Sequence, residues 1–316
     1  LALLLAPALS CDDNQVEVSV ADHASWTRVT DPAQVNEPYY PEWRDTTILF
    51  EYVAAQGPIW LGTINQDGTN RKLYTEPGPL SDIFPRWVTD DIVIYSSNKA
   101  GGGNYDIWYK VLSTNTDRRF TRFSEREFAP APRPGRPSIA YTQGTEPLKG
   151  RIVVLADTAA AILERTYLTA DTLLAGEPDW SPDGNQICFS AERADGQRHI
   201  WLAELADTVV TSLRELTSGA IYDLTPRFSP DGTRIVFTSN RSGKSGVWWV
   251  NTAGEAAGFG LISFEDATFT DTSQSPPVTR PVTVYSPSWS PDGQSILVSS
   301  DGRGPRAIWK ISNLPF

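Results

Sequence analysis

Three carboxylates occupy one phase of a repeating pattern: Asp82, Glu127 and Asp223 each stand three residues before a proline, at Pro85, Pro130 and Pro226. If that phase marks the loop into the innermost strand of a ring-shaped repeat, the three converge on the axis. There they would hold a cation or receive a basic segment of a partner. A weak, oxygen-rich calcium site is the metal chemistry that fits such a set, and solvated loop carboxylates are the plainer alternative. Tyr39, Tyr40, Tyr222 and Tyr285 fall in the same loops, where aromatic faces would stack on sugars or contact a peptide.

A second set lies one residue after the prolines: Glu42, Arg86, Asp179 and Arg227. Opposite signs in consecutive units predict cross-unit ion pairs, Glu42 with Arg86 and Asp179 with Arg227, in a structural role. Catalytic constellations are harder to find. The two histidines, His23 and His199, are too few for an imidazole-rich metal centre. No Gly-x-Ser-x-Gly elbow and no phosphate-cradling Gly-x-x-x-x-Gly-Lys-Ser/Thr loop occurs. No cofactor other than that calcium ion is expected, and no enzyme activity.

The elements that must position these residues are announced by a phrase repeated three times: Trp180-Ser-Pro-Asp-Gly184, Phe228-Ser-Pro-Asp-Gly232 and Trp289-Ser-Pro-Asp-Gly293. Aligned on the proline before the aromatic, the chain has six anchors, at Pro41, Pro85, Pro130, Pro178, Pro226 and Pro287, spaced by 44, 45, 48, 48 and 61 residues. A β-rich unit recurring at this period is the signature of a β-propeller. Proline presets φ and glycine accepts positive φ, so Pro-Asp-Gly reads as the turn of a hairpin. A further strand carries Ile59-Trp60, Ile107-Trp108, Ile200-Trp201, Val247-Trp248 and Ile308-Trp309. Aromatics at equivalent places fill the space between sheets. Unit three keeps the spacing and loses the aromatic.

Short outer strands follow at Arg71-Lys-Leu-Tyr74, Arg118-Arg-Phe-Thr121 and Arg214-Glu-Leu-Thr217. The last unit lacks one, and Thr27-Arg-Val-Thr30 has the missing pattern. The expectation is an all-β, six-bladed propeller of four-stranded blades over residues 26–316, its last blade completed by the N-terminal strand. The alanine-rich Ala156 to Leu163 reads as a loop or distorted outer strand. The insertion from Gly254 to Tyr285, with Phe264 and Phe269, reads as a partner contact or an excursion.

Net charge is −11 with an isoelectric point near 4.7, and no basic stripe interrupts it. Nucleic acid and direct contact with anionic membranes are disfavoured on that ground. Residues 1–10 have the shape of a secretory h-region cut short at its start, too short to span a bilayer. Cys11 resembles the lipidated cysteine of bacterial lipoproteins, although Ala8 and Leu9 depart from the usual order. Residues 11–25 would then be an acidic tether. Cys188, in Ile187-Cys-Phe189, reads as a small buried hydrophobe.

The phrases Trp-Ser-Pro-Asp-Gly, Ser-Asn-Arg-Ser-Gly and Ile-Trp, in this order, resemble the TolB-like, WD40-like propeller repeats of bacterial envelope proteins, over about residues 26 to 316. The resemblance implies a monomeric periplasmic or envelope propeller, lipid-anchored or secreted, that binds a protein or peptide segment at its channel mouth. TolB itself carries an α/β domain ahead of its propeller, where this chain presents only the tether, so recruitment of the Tol inner-membrane partners is not expected of it. The alternative is a glycan-binding propeller of a polysaccharide-handling system. Propellers of oligosaccharide lyases and prolyl-oligopeptidase-type peptidases are further relatives in shape, and a lyase would need a histidine-rich metal site. Mass spectrometry of the chain made in a lipidating bacterial host should find acyl groups on Cys11; an unmodified cysteine would leave secretion without an anchor.

Overall fold

The computed structural model describes residues 25–31, 35, 37–53, 57–74, 80–156, 163–219, 221–263, 268–271, 278–281, 283–301 and 306–316. Cys11, His23, Phe264, the interior of the alanine-rich segment and residues 302–304 lie outside them, as does the side chain of Phe269. Among the described residues the sheets are antiparallel and the one helical element is a 3-10 turn at Glu255–Ala257. Among the described residues no helix is long and apolar enough to cross a membrane.

Strand β1 (Ser25–Arg28) precedes the first unit, which comprises β2 (Pro38–Arg44), β3 (Thr47–Val53), β4 (Ile59–Asn65) and β5 (Lys72–Leu73). Unit two is β6 (Asp82–Trp87), β7 (Ile92–Ser97), β8 (Asp106–Val111) and β9 (Thr116–Arg119). Unit three is β10 (Glu127–Pro132), β11 (Ile139–Glu146), β12 (Lys149–Leu155) and β13 (Arg165–Tyr167). Unit four is β14 (Leu174–Trp180), β15 (Gln186–Glu192), β16 (Arg198–Ala206) and β17 (Val209–Glu215). Unit five is β18 (Asp223–Phe228), β19 (Arg234–Ser239), β20 (Gly246–Asn251) and β21 (Phe259–Ser263). A separate hairpin, β22 (Thr268–Asp271) with β23 (Val278–Pro281), occupies the long insertion. Unit six has β24 (Val284–Trp289), β25 (Ser295–Ser300) and β26 (Ala307–Ser312).

Each unit is a meander in chain order, and a bridge between Gly150 and Ala175 joins the sheets of units three and four. The innermost strand of every unit packs on the sheet of the unit before it, and β2 packs on β24 and β25. β1 lies on β26, Ser25 opposite Ser312 and Arg28 opposite Trp309. One hydrogen bond recurs at this junction. In units two, three and four a threonine after the outer strand accepts the amide of an isoleucine in the third strand: Thr121 from Ile107 at 2.9 Å, Thr169 from Ile152 at 3.0 Å and Thr217 from Ile200 at 2.9 Å. Thr30 accepts from Ile308 at 2.8 Å in the same way, across 278 residues.

The Pro-Asp-Gly turns form as their residues dictate. Gly184, Gly232 and Gly293 sit at φ 69°, 72° and 69°. In each, the aspartate accepts the hydroxyl of the preceding serine, Ser181 to Asp183 at 2.5 Å, Ser229 to Asp231 at 2.6 Å and Ser290 to Asp292 at 2.5 Å. The core lies between units. Trp87 packs with Leu49 and Leu61 of unit one, Trp180 with Ala140 and Ile152 of unit three, and Phe228 with Cys188 and Leu202 of unit four. Trp289 packs with Val236 and Val247 of unit five, and Trp43 with Leu297 and Ile308 of unit six.

Replacing Thr30 by valine keeps the volume but leaves the buried Ile308 amide without its acceptor, a loss of about 1–3 kcal/mol. Urea unfolding should show Thr30→Val and Thr217→Val losing similar stability. A neutral Thr30→Val beside a costly Thr217→Val would mean that β1 does not act as an outer strand.

Candidate functional site: the axial channel

The residue before each anchor proline is left-handed: Tyr40, Phe84, Ala129, Glu177, Thr225 and Ser286 have φ of 46°, 56°, 49°, 56°, 54° and 50°. At that point each innermost strand slips register against its neighbour, with one extra residue. Proline is tolerated inside a sheet at such bulges, where no ladder hydrogen bond is asked of it. A left-handed non-glycine residue costs about 1 kcal/mol or more, so the ring holds six strained positions around its axis. They narrow the channel to a cavity of about 10 Å³, lined by five of the anchor prolines with Tyr40, Phe84 and Ala129. That is room for about one water.

Inside this constriction the polar groups answer each other across units. Tyr40 donates its hydroxyl to Glu177 at 3.1 Å, and Glu177 accepts the Thr225 amide at 2.9 Å. Glu51 accepts the amide of Phe84. Burial raises the pKa of Glu177 and pushes that of Glu51 up to about 8; it also raises that of Tyr40, helped by Glu177. Tyr40 is therefore a channel residue rather than a rim platform.

Next come the residues that follow the anchors. Glu42 pairs with Arg86 at 2.8 Å and accepts the Trp87 amide at 2.8 Å. Asp179 accepts the Phe228 amide at 2.8 Å and pairs with Arg86 at 2.5 Å, not with Arg227. The first expected pair is present and the second is not. The reason lies in unit three, where Ala131 is too small to fill the corresponding place and Arg86 reaches over it to unit four. Burial opposes the charge of Arg86, yet Glu42 and Asp179 push its pKa above the usual value. Arg227 is left with its own neighbour's carbonyl, Pro226 O at 2.8 Å. Burial and Arg86 lower its pKa, against the fields of Asp179, Glu177 and Glu42.

The carboxylates three residues before the anchors are turned into their own surroundings. Asp82 pairs with Lys99 at 3.0 Å, and Asp223 with Arg241 at 2.6 Å and Thr217 at 2.6 Å. Glu127, which forms no ion pair among the described residues, accepts the Thr121 hydroxyl, and burial raises its pKa to about 8. The Ser-Asn-Lys and Ser-Asn-Arg loops complete these locks: Asn98 accepts the Ser81 amide at 2.8 Å and Asn240 that of Tyr222 at 2.9 Å. Among the described residues no group of three His, Cys, Asp or Glu is arranged to hold a metal ion. His199 is buried 3.6 Å from Glu215.

The two mouths differ. On the side of the inward loops, Tyr39 and Tyr285 meet with ring centroids 6.1 Å apart, and Arg306 lies 4.2 and 4.6 Å from those centroids. Tyr222 is exposed there. On the side of the Pro-Asp-Gly turns, a depression of about 430 Å³ opens over Glu42, Arg86, Asp179 and Arg227, walled by Trp43, Trp180, Phe228, Trp289 and turn prolines. The sequence signal for this mouth was the charged set after the anchors, read there as structural only.

Residues 128–286 match the family model of the TolB beta propeller domain. No curated protein matches the sequence. Among solved structures, TolB from Acinetobacter baumannii is similar with TM-score 0.57 and 19% identity over 92% of this chain. The chain spans 63% of the length of that protein. Oligogalacturonate lyase from Vibrio parahaemolyticus is similar with TM-score 0.58 and 15% identity, over 94% of this chain and 96% of its own. A puromycin-hydrolyzing peptidase of Mycobacterium tuberculosis is similar with TM-score 0.59 and 13% identity, over 91% of this chain and 53% of its own. At these identities the likeness to solved structures concerns the fold alone.

Because the folded pKa of Glu127 is raised, its contribution to stability is fully present below the unfolded value of 4.5 and is lost as pH rises towards about 8. Glu127→Gln should match the wild type in urea unfolding at about pH 4.5 and exceed it at about pH 9. Equal pH dependence in the two proteins would show Glu127 to be ionised in the fold.

Proposed function

The chain belongs to the TolB β-propeller family, and from that premise we propose a non-enzymatic binding propeller of the bacterial envelope that takes a protein or peptide segment at the turn-side mouth of its channel. The carrying observation is Arg227, at the floor of the 430 Å³ depression, whose guanidinium makes one hydrogen bond among the described residues, to the Pro226 carbonyl. A guanidinium with unused donors recognises a carboxylate in a fixed geometry. The aromatic and proline walls supply the apolar contacts that anchor an interface.

The six anchors, the packing of β2 on unit six and the pairing of β1 with β26 support a six-bladed ring closed by the N-terminal strand. The apolar run ending at Ser10 and Cys11 supports an envelope location with a lipid anchor, the tether spanning residues 11–25. The loop-side carboxylates Asp82, Glu127 and Asp223 serve as locks in this reading, while Tyr222 and Tyr285 remain the residues for a contact on the other mouth.

Full-length protein should capture a partner from native envelope extract, as should Tyr222→Ala, whereas Arg227→Ala should lose it. A partner lost with Tyr222→Ala and kept with Arg227→Ala would move the binding site to the opposite mouth.

A further inference from the structure

One interface departs from the pattern that the other five share. Unit three has Pro132 where the other units carry Trp43, Trp87, Trp180, Phe228 and Trp289. At three of these interfaces the indole also donates to the carbonyl after the previous anchor, Trp87 to Glu42 O at 3.2 Å, Trp180 to Ala131 O at 3.1 Å and Trp289 to Arg227 O at 3.3 Å, whereas Trp43 Nε1 has no partner among the described residues and Phe228 has no N–H. The corresponding carbonyl of Arg86 receives no side-chain donor among the described residues. Between units two and three lies instead a groove of about 600 Å³.

Trp87, Ile94, Tyr109 and Phe120 form one wall of the groove, and the proline-rich turn from Pro132 to Ser138 forms the other. Its volume falls within the range of small-molecule sites. The described charges lining it are all cationic, Arg44, Arg133 and Arg136, on a protein of net charge −11. Arg133 is 3% exposed; it lies over the Trp180 ring and donates to Gly184 O at 2.7 Å and Asp207 O at 2.9 Å, which leaves its Nη2 without a hydrogen-bond partner. Arg44 and Arg136 pair with Asp90 at 2.5 Å and Asp207 at 3.2 Å, both aspartates being exposed. Exposed pairs of this kind exchange readily for a better anion.

We propose that this groove binds a small planar aromatic carboxylate of the indole class. Its ring takes the place that a tryptophan fills in the other interfaces, its N–H donates to the Arg86 carbonyl as Trp289 does to that of Arg227, and its carboxylate meets the rim arginines. This site is independent of the channel mouth, so it stands or falls apart from the partner-binding reading.

The test is calorimetric titration of the full chain with indole-3-acetate, with benzofuran-3-acetate as the analogue lacking the N–H and acetyl-Gly-Trp-Gly-amide as the peptide form of the ring. Indole-3-acetate should bind, and the benzofuran should bind about five- to tenfold more weakly. Pro132→Trp fills the groove from one wall and should abolish binding. Val88→Trp does so from the rim and decides the matter if the first variant fails to fold. Arg227→Ala should bind as the wild type does. No binding of indole-3-acetate, or equal affinity in the folded filling variants, would overturn the proposal. Tighter binding of the peptide than of indole-3-acetate would also overturn it, assigning the groove to a protein partner.

Discussion

An innermost strand has a sheet neighbour on one side only. Its other edge faces the axis, where there is no room for a further strand and little for water, and buried backbone groups must find partners. Here part of the solution is supplied by the residue after three of the six anchors. Glu42, Asp179 and Ser288 each accept the amide of the aromatic in the next unit, Trp87, Phe228 and Trp43. The hydrogen bonds that satisfy the inner edge are therefore the same bonds that hold unit to unit. The bulge before them, with its left-handed residue and its proline, removes one donor and turns the flanking side chains inwards.

Departures from this scheme concentrate in unit three. Ala131 carries no carboxylate and Pro132 no amide, and Arg86, which can only donate, gives its Nη2–H to Asp179 of unit four. Two consequences come from that single exchange. Arg227 loses the carboxylate that its position would otherwise claim, and the aromatic wedge is absent from one interface. A repeat protein can host chemistry only where its units stop being alike, and both sites argued above trace to residues 131 and 132.

What was legible in the sequence was whatever repeats or is local. The anchors, the Ser-Pro-Asp-Gly turns, the Ile-Trp strands and Thr30 as the counterpart of Thr121 and Thr217 all recur at one phase, and the geometry follows them. The bulge escaped notice because proline in a strand reads as a break rather than as a slip in register. Asp82 and Asp223 were legible as equivalents but not as locked residues. Their partners Lys99 and Arg241 lie in the Ser-Asn-Lys and Ser-Asn-Arg loops, and only the pairing of the first and second strands brings loop and carboxylate together. The cross-channel pair of Arg86 and Asp179 was beyond reach, since it depends on the size of a third residue, Ala131, in the unit between them.

The junction of β1 with β26 bears on how the chain reaches its fold. Ser25 and Ser312 are opposite one another although far apart in the sequence, so this contact closes a very long loop. Loop-closure entropy grows slowly with length, and folds rich in pairings of such separation fold slowly. Until β26 has formed, β1 has no sheet to join, and until β1 pairs with it β26 has an unpaired edge. A chain synthesised from its N-terminus therefore carries β1 without its partner until β26 has been made.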